Sequence, residues 1–538
     1  MIRFGEFELD AERHFLRRGG EELHVEPKVF RVIDYLVRNR ERLVTKEELL
    51  DKVWEETYVS ESALTRVIRD ARRVLDDSST SPRWIRTLYG KGFRFIGEIA
   101  EGPAPAVSSD SRPTIAVLPF ADLSEARDQG FFCEGLADEI INALTKLERL
   151  SVLSRKSSFE ARQEPQKLGV DKVLDGSVRK AGDRLRVTVH LVDVATRRNL
   201  WSERYDRTAN DLFAIQEDIA EQTASSLLGV LGEHEHGLLR RTPHAQLSAW
   251  EFYLRGRQLA YQEIRRSLEA ARQMYARAVE IEPSFALAFS GMADALADLY
   301  LYHVRDEQYR AGCAEASRRA IALDPGLAEA HKSRAQSLVL EGKFDEAAEE
   351  FETAIALDPR SFDAHVYYGR LLWTHGRGEA AVQHLERAAA IRPDDYAAPM
   401  MLVQIYYALG RESDRHNAAL RTKTLTAKRL ELRPDDVRAL CMNAEAQYVL
   451  GEKTGAMGQI DRAYAIDPHD VCTLYNSACV FSLDGELERA LDAIEGAVRG
   501  GYTYREWLTS DPDLVALREH PRFQALMAEL PELGEGER

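Results

Sequence analysis

The chain has 538 residues, 44% hydrophobic and 30% charged, with a formal net charge of −17. At about 100–200 residues per domain this length excludes one compact core and calls for several domains or a repeat array, while the composition excludes a disordered or fibrous chain. The negative charge argues against general nucleic-acid coating, but residues 245–538 hold 34 Lys+Arg against 47 Asp+Glu whereas residues 1–99 hold 19 of each, so a DNA-binding segment can be masked by the acidic half. At the amino terminus RFGEFELD and HFLRRGGEELHVE alternate in type around Gly19 and Gly20, which predicts antiparallel strands. Val29, Phe30, Ile33, Leu36 and Val37 recur at helical spacing and predict a first helix. Thr45-Lys46-Glu47-Glu48 reads as a capping box that starts a second helix burying Leu49, Leu50, Val53 and Trp54. A third helix, from about Glu61 to Leu75, puts Leu64, Ile68, Ala71 and Leu75 on one face and leaves Thr65, Arg66, Arg69, Arg72 and Arg73 away from it. RWIRTLYGKGFRFIG then reads as two strands around Gly90-Lys91-Gly92.

Positive charge concentrates in these last two elements: residues 60–96 hold 8 Lys+Arg against 4 Asp+Glu, and residues 1–59 hold 11 against 14. A helix of ordinary width fits the major groove of DNA, where arginine can bond base edges while other basic side chains fix register on phosphates. EPKVFRVIDYLVRNRERLVTKEELLDKVW, VSESALTRVIRDARRVL and IRTLYGKGFRF resemble the OmpR/PhoB-type winged helix, in the form that begins ToxR- and CadC-like regulators. The resemblance covers residues 1–98. It implies that VSESALTRVIRDARRVL is a recognition helix whose Thr65, Arg66, Arg69 and Arg73 face the major groove, and that the hairpin tip approaches the minor groove. Ser62, Arg72 and Arg86 complete the expected DNA-contacting set. Where the family often has arginine before the first wing glycine this chain has Tyr89, so the minor-groove contact passes to Lys91 or is weak; Tyr89 and Lys91 both belong to the expected DNA-contacting set. With the winged helix at the initiator methionine no receiver domain is expected before it, and input is expected from the rest of the chain.

EGPAPAVSSDSRP marks a linker, and the pattern then changes to α/β. TIAVLPF is a buried-strand run, EGLADEIINALTKL an amphipathic helix, LSVLSR a second strand, VDKVLDGSVRKAGDRLRVTVHLVDVATRRNLWSERYD a set of strands, and DLFAIQEDIAEQTASSLLGVL a closing helix. IAVLPF, DGSVRKAGDRLRV, LWSERYDR and DLFAIQEDIA resemble a TolB amino-terminal-like unit found beside tetratricopeptide repeats in bacterial regulators and in some class III adenylate cyclases. Asp138 and Glu139, expected partly exposed on their helix, and Ser177 to Lys180 read as structural. Glu233-His234-Glu235-His236 reads as a hydrophilic hinge rather than a metal site.

Prolines then follow apolar helix ends at Pro283, Pro325, Pro359, Pro393, Pro434 and Pro468, at intervals of 42, 34, 34, 41 and 34. A 34-residue period is that of a tetratricopeptide helix pair. Small residues fall where the two helices of a pair must touch: Ala278, Ala320, Ala354, Ala388, Ala463 and Ala497, and seven residues earlier Ala271, Cys313, Ala347, Ala381, Ala456 and Ala490. Tyr275, Phe351 and Leu385 fill the space between. The unit ending at Pro434 departs from this, with Arg429 where alanine is expected, so its second helix is expected to be longer or displaced. DPDLVALREHPRFQALMAEL is expected to cap the last pair.

The expected fold is multidomain: an α+β winged helix-turn-helix (1–99), a linker (100–112), a small α/β middle domain (113–240), an all-α tetratricopeptide-repeat solenoid of about seven units (245–500), and a capping helix and tail (501–538). No Walker loop, HExxH, GxSxG or cyclase-type metal carboxylates occur, so no catalytic residue, cofactor or metal is expected. The longest apolar stretch, Ala397 to Leu409, is broken by Gln404 and falls short of the roughly 18–20 residues of a membrane span. The opening lacks a signal-peptide core, and a cytoplasmic protein without a membrane partner is expected. Cys133, Cys313, Cys441, Cys472 and Cys479 form no CxxC pair and read as reduced, buried thiols. The expectation is a one-component transcriptional regulator that binds double-stranded DNA, as a homodimer on paired half-sites. Its repeats would bind a protein or peptide through a groove carrying Lys332, Gln336, Arg370, Trp373, Gln404, Tyr407 and Tyr448. Two rivals are an interaction scaffold with non-specific DNA binding and a signalling protein of adenylate-cyclase-like architecture without the catalytic domain.

Overall fold

A computed structural model of the chain describes residues 2–530 apart from 5–6, 11–14, 19–20, 24, 26, 40–42, 47, 50–60, 79–81, 89–90, 98–111, 161–167, 182–183, 209–211 and 240–245. It divides into two compact units, Met1–Ser111 and Arg112–Arg538. In the first, strands β1 (Ile2–Phe4), β2 (Phe7–Asp10), β3 (Phe15–Arg18) and β4 (Glu21–Leu23) form an antiparallel meander. Phe7, Leu9 and Leu16 are buried, as are Val29, Ile33, Leu36 and Val37 of helix α1 (Pro27–Arg38). Thr45 Oγ1 accepts the Glu48 N–H at 3.1 Å, satisfying one of the donors a helix start leaves free. The carboxylate of Glu48 accepts from the Tyr35 hydroxyl at 2.7 Å. Leu49 is buried; Leu50, Val53 and Trp54, expected on the same helix, lie outside the described residues.

Helix α2 (Glu61–Val74) buries Leu64, Ile68 and Ala71, with Leu75 just beyond its end, against this core. Strands β5 (Ile85–Leu88) and β6 (Gly92–Phe95) pair antiparallel, and Val44 bridges to Phe93. Trp84 locks the hairpin to the meander, edge-on to Phe7 at 5.9 Å and stacked on Phe95 at 6.2 Å. Gly92, at φ +144°, lies so close to the strand bridge that a Cβ would fall 2.0 Å from the Val44 carbonyl oxygen.

The second unit opens with a mixed sheet. Its strands are β7 (Thr114–Val117), β8 (Ala121–Asp122), β9 (Ser151–Val152), β10 (Lys172–Ala181), β11 (Arg184–Asp193) and β12 (Asn199–Thr208). Their order is β12-β11-β10-β7-β9, with β8 beside β10. The long strands β10–β12 run antiparallel, whereas β7 and β9 are parallel. Helices α3 (Gly130–Thr145), α4 (Arg155–Glu160), α5 (Leu212–Leu228) and α6 (Glu233–Leu239) accompany them. The apolar core does not end with this sheet: Ile115, Val187, Leu136 and Ile219 belong to one buried cluster with Trp250, Tyr253, Tyr275 and Leu299. The α/β part and the first repeat helices therefore share a core.

Seven helix pairs follow among the described residues. They are α7 (Leu247–Ala260) with α8 (Arg265–Ile281), α9 (Ala286–Tyr302) with α10 (Glu307–Leu323), and α11 (Ala328–Leu340) with α12 (Phe344–Leu357). Next come α13 (Phe362–Thr374) with α14 (Gly378–Ile391), and α15 (Ala397–Ala408) with α16 (Glu412–Leu432). The series ends in α17 (Val437–Val449) with α18 (Lys453–Ile466), and α19 (Val471–Asp484) with α20 (Leu487–Arg499). Ala271, Ala278, Cys313, Ala320, Ala347, Ala354, Ala381, Ala388, Ala456, Ala463, Ala490 and Ala497 are all 0% exposed, because the helices of each pair meet there too closely for larger side chains. In α16, which has 21 residues, Thr422 takes the earlier of those places and Thr426 the filler's place after it; their hydroxyls bond the carbonyls one turn back at 2.9 and 2.8 Å, so burial leaves neither hydroxyl orphaned. Arg429 is drawn aside by Asp436 at 2.6 Å.

Helices α13 and α14 bring a buried and a half-buried imidazole together, His365 Nδ1 and His384 Nδ1 lying 3.0 Å apart. With His365 Nε2 donating to the Pro359 carbonyl at 3.3 Å, its Nδ1 accepts from His384. Burial, with His384 and Arg387 adding repulsion, pushes His365 down to about 4. Because an unfolded histidine titrates near 6.5, the unfolded chain binds this proton first. The stabilisation is complete above pH 6.5 and is lost as pH falls from 6.5 to 4, by on the order of 2–3 kcal/mol. Urea unfolding of His365→Asn over this range is expected to show a shallower loss of stability than the wild type; parallel curves would disprove the assignment.

The tail departs from expectation. Helix α22 (Pro521–Glu529), which follows a short helix α21 (Arg505–Ser510) and a 3-10 turn at Pro512–Leu517, does cover the last pair. Arg522 bonds Glu488, Asp492 and Glu495 there. The segment before it instead lies along earlier first helices. Gly501, at φ +113°, passes where a Cβ would meet the His303 carbonyl oxygen at 1.9 Å. Thr503 N–H donates to the Leu301 carbonyl at 3.2 Å, Tyr504 sits beside Arg370, and Asp511 lies between Gln404 and Tyr475. Among the described residues no helix is long and apolar enough to cross a membrane.

Candidate nucleic-acid interface

Packing divides α2 cleanly. Its apolar stripe is spent on the core, and the opposite face presents Thr65, Arg66, Arg69 and Arg73, all exposed. The side chains of Arg66, Arg69 and Arg73 are 77%, 67% and 73% exposed and surround Asp70 at 4.0, 3.6 and 3.1 Å. Exposed pairs of this kind are worth about 0–1 kcal/mol, so a phosphate or a guanine edge can draw the guanidinium groups away at little cost.

Arg72 behaves differently from its neighbours. Its Nη2 donates to the Ile85 carbonyl at 2.9 Å and to Thr87 Oγ1 at 2.8 Å. It thus fixes the helix to the hairpin and orients the outer arginines from behind, whereas a place among the outward, DNA-facing side chains had been expected. On the hairpin Arg86 and Lys91 are exposed. Arg94, overlooked in the sequence, is exposed directly opposite Arg86 in the strand register; the two-residue period of IRTL and FRF carried that signal. The side chain of Ser62, and Tyr89 altogether, lie outside the described residues.

The seven residues expected to line the repeat groove do not form one open surface. Lys332 is buried against Asp294, which sustains its charge in spite of burial. Gln336 is buried, with neither amide atom bonded. The Arg370 guanidinium bonds the Tyr302 hydroxyl and stands over the rings of Tyr367 and Tyr504. Trp373 is half-buried, its indole N–H without a partner among the described residues. Gln404 Nε2 donates to Asp511 at 3.4 Å and Asp513 at 3.3 Å. Tyr448 donates to the Leu483 carbonyl at 2.7 Å, and Tyr407 is the exposed member, with Arg415 over its ring. Arg370 and Gln404 are thus engaged by the chain's own tail, an arrangement that helix periodicity does not disclose.

In the middle region Asp138 is buried, where a partly exposed position was expected, whereas Glu139 is half-buried. Both meet Arg257 of α7, and Asp138 is 3% exposed. Glu235 and His236 turn to different partners, Arg149 and Glu221, and so share no ligand position.

Residues 20–95 match the family model described as transcriptional regulatory protein, C terminal. The middle region, expected to resemble a TolB amino-terminal unit, matches over residues 110–222 the second domain of HilA/YgeH-like transcriptional regulators, and residues 332–396 match a tetratricopeptide repeat. The chain is thus an OmpR/PhoB-type winged helix fused to an α/β region and a tetratricopeptide solenoid. It is 35% identical over 202 residues to a putative adenylate cyclase 3 of Rhizobium meliloti, covering 36% of this chain and 34% of that one. It is 24% identical over 308 residues to the transcriptional regulator HilA of Salmonella typhi, covering 57% of this chain and 55% of that one. Against the transcriptional regulatory protein KdpE of Mycobacterium tuberculosis it is 33% identical over 96 residues, covering 18% and 42%. The chain therefore spans between about a third and just over half the length of these curated relatives.

Proposed function

We propose that the chain is a cytoplasmic DNA-binding transcriptional regulator. In this reading α2 lies in the major groove, with Thr65, Arg66, Arg69 and Arg73 toward base edges and phosphates. Arg86, Arg94 and Lys91 of the hairpin approach the neighbouring backbone, and Ser62 and Tyr89 complete the contact set. The observation that carries the reading is the outward face of α2, where three arginines unused by the core surround Asp70 and are braced from behind by Arg72. One such module buries limited surface, so specific affinity calls for a dimer on paired half-sites. The repeats would take a protein partner, with Tyr407 as an exposed aromatic anchor.

Selection of genomic DNA fragments by the full chain tests this. Enrichment of one sequence motif is expected, and Arg66→Ala with Arg69→Ala should weaken binding to it by about 30-fold or more, since each base contact is worth about 1–3 kcal/mol. Unbiased recovery that falls uniformly with salt would favour the interaction scaffold instead. The 35% identity to a putative adenylate cyclase favours, as a second reading, a signalling protein of that architecture; a cyclic nucleotide formed from ATP by the purified chain would establish it.

A further inference from the structure

Where the tail crosses the repeats, three ligand-type side chains converge out of reach of solvent, with a fourth carboxyl behind them. Asp511 and Asp513 come from the tail and Cys479 from α19; their ligand atoms lie within 4.8 Å of one another, and all three residues are buried. Cys479 Sγ is 3.6 Å from Asp511 Oδ2. Glu445, on α17, is 1% exposed. Its carboxyl shares a hydrogen bond with that of Asp513, and among the described residues no other donor reaches its oxygens.

The surroundings are short of positive charge. Arg415, on α16, is the cation that faces Glu445 and Asp513. Arg518 spends its guanidinium on the Asp511 backbone carbonyl at 3.0 Å. The other neighbours are neutral: Gln404 from α15, Tyr475 from α19 and Trp507 from α21. Buried carboxylates persist when they are paired or bind a metal, and one arginine does not balance three of them.

We infer that this cluster is a binding site for a divalent transition metal, with Cys479, Asp511 and Asp513 as ligands, Glu445 behind Asp513 as an outer carboxyl, and zinc as the class of ion that fits. One thiolate among carboxylates suits zinc, which accepts sulfur and oxygen together, whereas magnesium and calcium take oxygen ligands. The Tyr475 hydroxyl and the Gln404 amide donate to Asp511, as outer partners do to orient a metal-binding carboxylate. Binding displaces the thiol proton and those shared among the carboxyls into solvent. Because two ligands belong to the tail and one to α19 of the repeats, the ion ties the tail onto the array.

Cobalt(II) titration of the full, metal-stripped chain tests the site. One equivalent is expected to bind, with a thiolate-to-cobalt charge-transfer absorption that zinc abolishes. Cys479→Ser should remove that absorption while leaving the other four cysteines as an internal control. Glu445→Gln, which keeps the thiol and the shape, should weaken cobalt binding about tenfold or more, in the range that perturbed metal shells show. Absence of a thiolate band in the folded wild type would overturn the inference. So would a band that survives Cys479→Ser, or affinity unchanged in Glu445→Gln.

Discussion

Arg257→Leu is expected to cost the second unit about 3–5 kcal/mol, the penalty for removing one partner of a buried ion pair. The Arg257 guanidinium reaches Asp138 Oδ2 at 2.6 Å and also bonds Glu139; both acids stand on α3, so one side chain of α7 neutralises one buried and one half-buried carboxylate of the α/β part. Leucine would fill much of the volume yet strand those charges, with Arg155, 3.9 Å from Asp138, as a weak remaining partner. Burial already opposes ionisation of Glu139 even with Arg257 present. Urea unfolding of the full chain, with hydrogen exchange read on Gly130–Thr145 and Leu247–Ala260, measures the loss. Adding Asp138→Asn and Glu139→Gln to Arg257→Leu should recover a good part of it, because the cost lies in the uncompensated charges. Unchanged stability of the single variant would mean that the junction is held by its apolar contacts alone.

The second large effect belongs to the hairpin. Gly92→Val is expected to destabilise the first unit by about 4 kcal/mol or more, a size that marks a specific structural conflict and a large share of the 5–15 kcal/mol typical of a domain. A Cβ at Gly92 would lie 2.0 Å from the Val44 carbonyl oxygen and 2.9 Å from the Thr45 Cα. That backbone cannot withdraw without breaking the Val44–Phe93 bridge, whose two hydrogen bonds measure 2.9 and 2.8 Å. A valine at φ +144° is also strained in its own right. Limited proteolysis should therefore cut the variant within residues 1–97 while the repeats stay intact, and DNA retention should disappear with the fold. A variant that resists proteolysis and retains DNA would refute this placement of the hairpin against Val44.

Periodic information was legible in the sequence, and pairwise information was not. The 34-residue proline spacing and the small residues between helices give the repeat solenoid, and the spacing Leu64, Ile68, Ala71, Leu75 gives the buried stripe of α2. Periodicity reports which face is buried and is silent on what it meets. Asp138 and Glu139 find Arg257 well over a hundred residues along the chain, so they read locally as an exposed acidic pair. Arg72 looked like its neighbours because a spacing argument cannot tell an arginine that turns to a hairpin carbonyl from one that faces solvent. The path of the tail had faint signals, the Gly500-Gly501 pair and the Asp511-Pro512-Asp513 turn start, but a turn signal gives a bend and no destination. Gln404 and Arg370 were expected to meet a partner for the same reason: nothing nearby in sequence announces that residues 504–513 reach them.

The contact of Thr503 with Leu301, 202 residues earlier, alters how the array must assemble. An open solenoid can nucleate at any pair and grow by neighbour-to-neighbour contacts of short sequence separation. Here the second pair is completed only when the segment beyond the seventh arrives, so loop-closure entropy must be met before those contacts form. During synthesis the early pairs emerge with Leu301 and Arg370 still waiting for their partners, and the last stage of folding is a ring closure instead of the addition of one more pair.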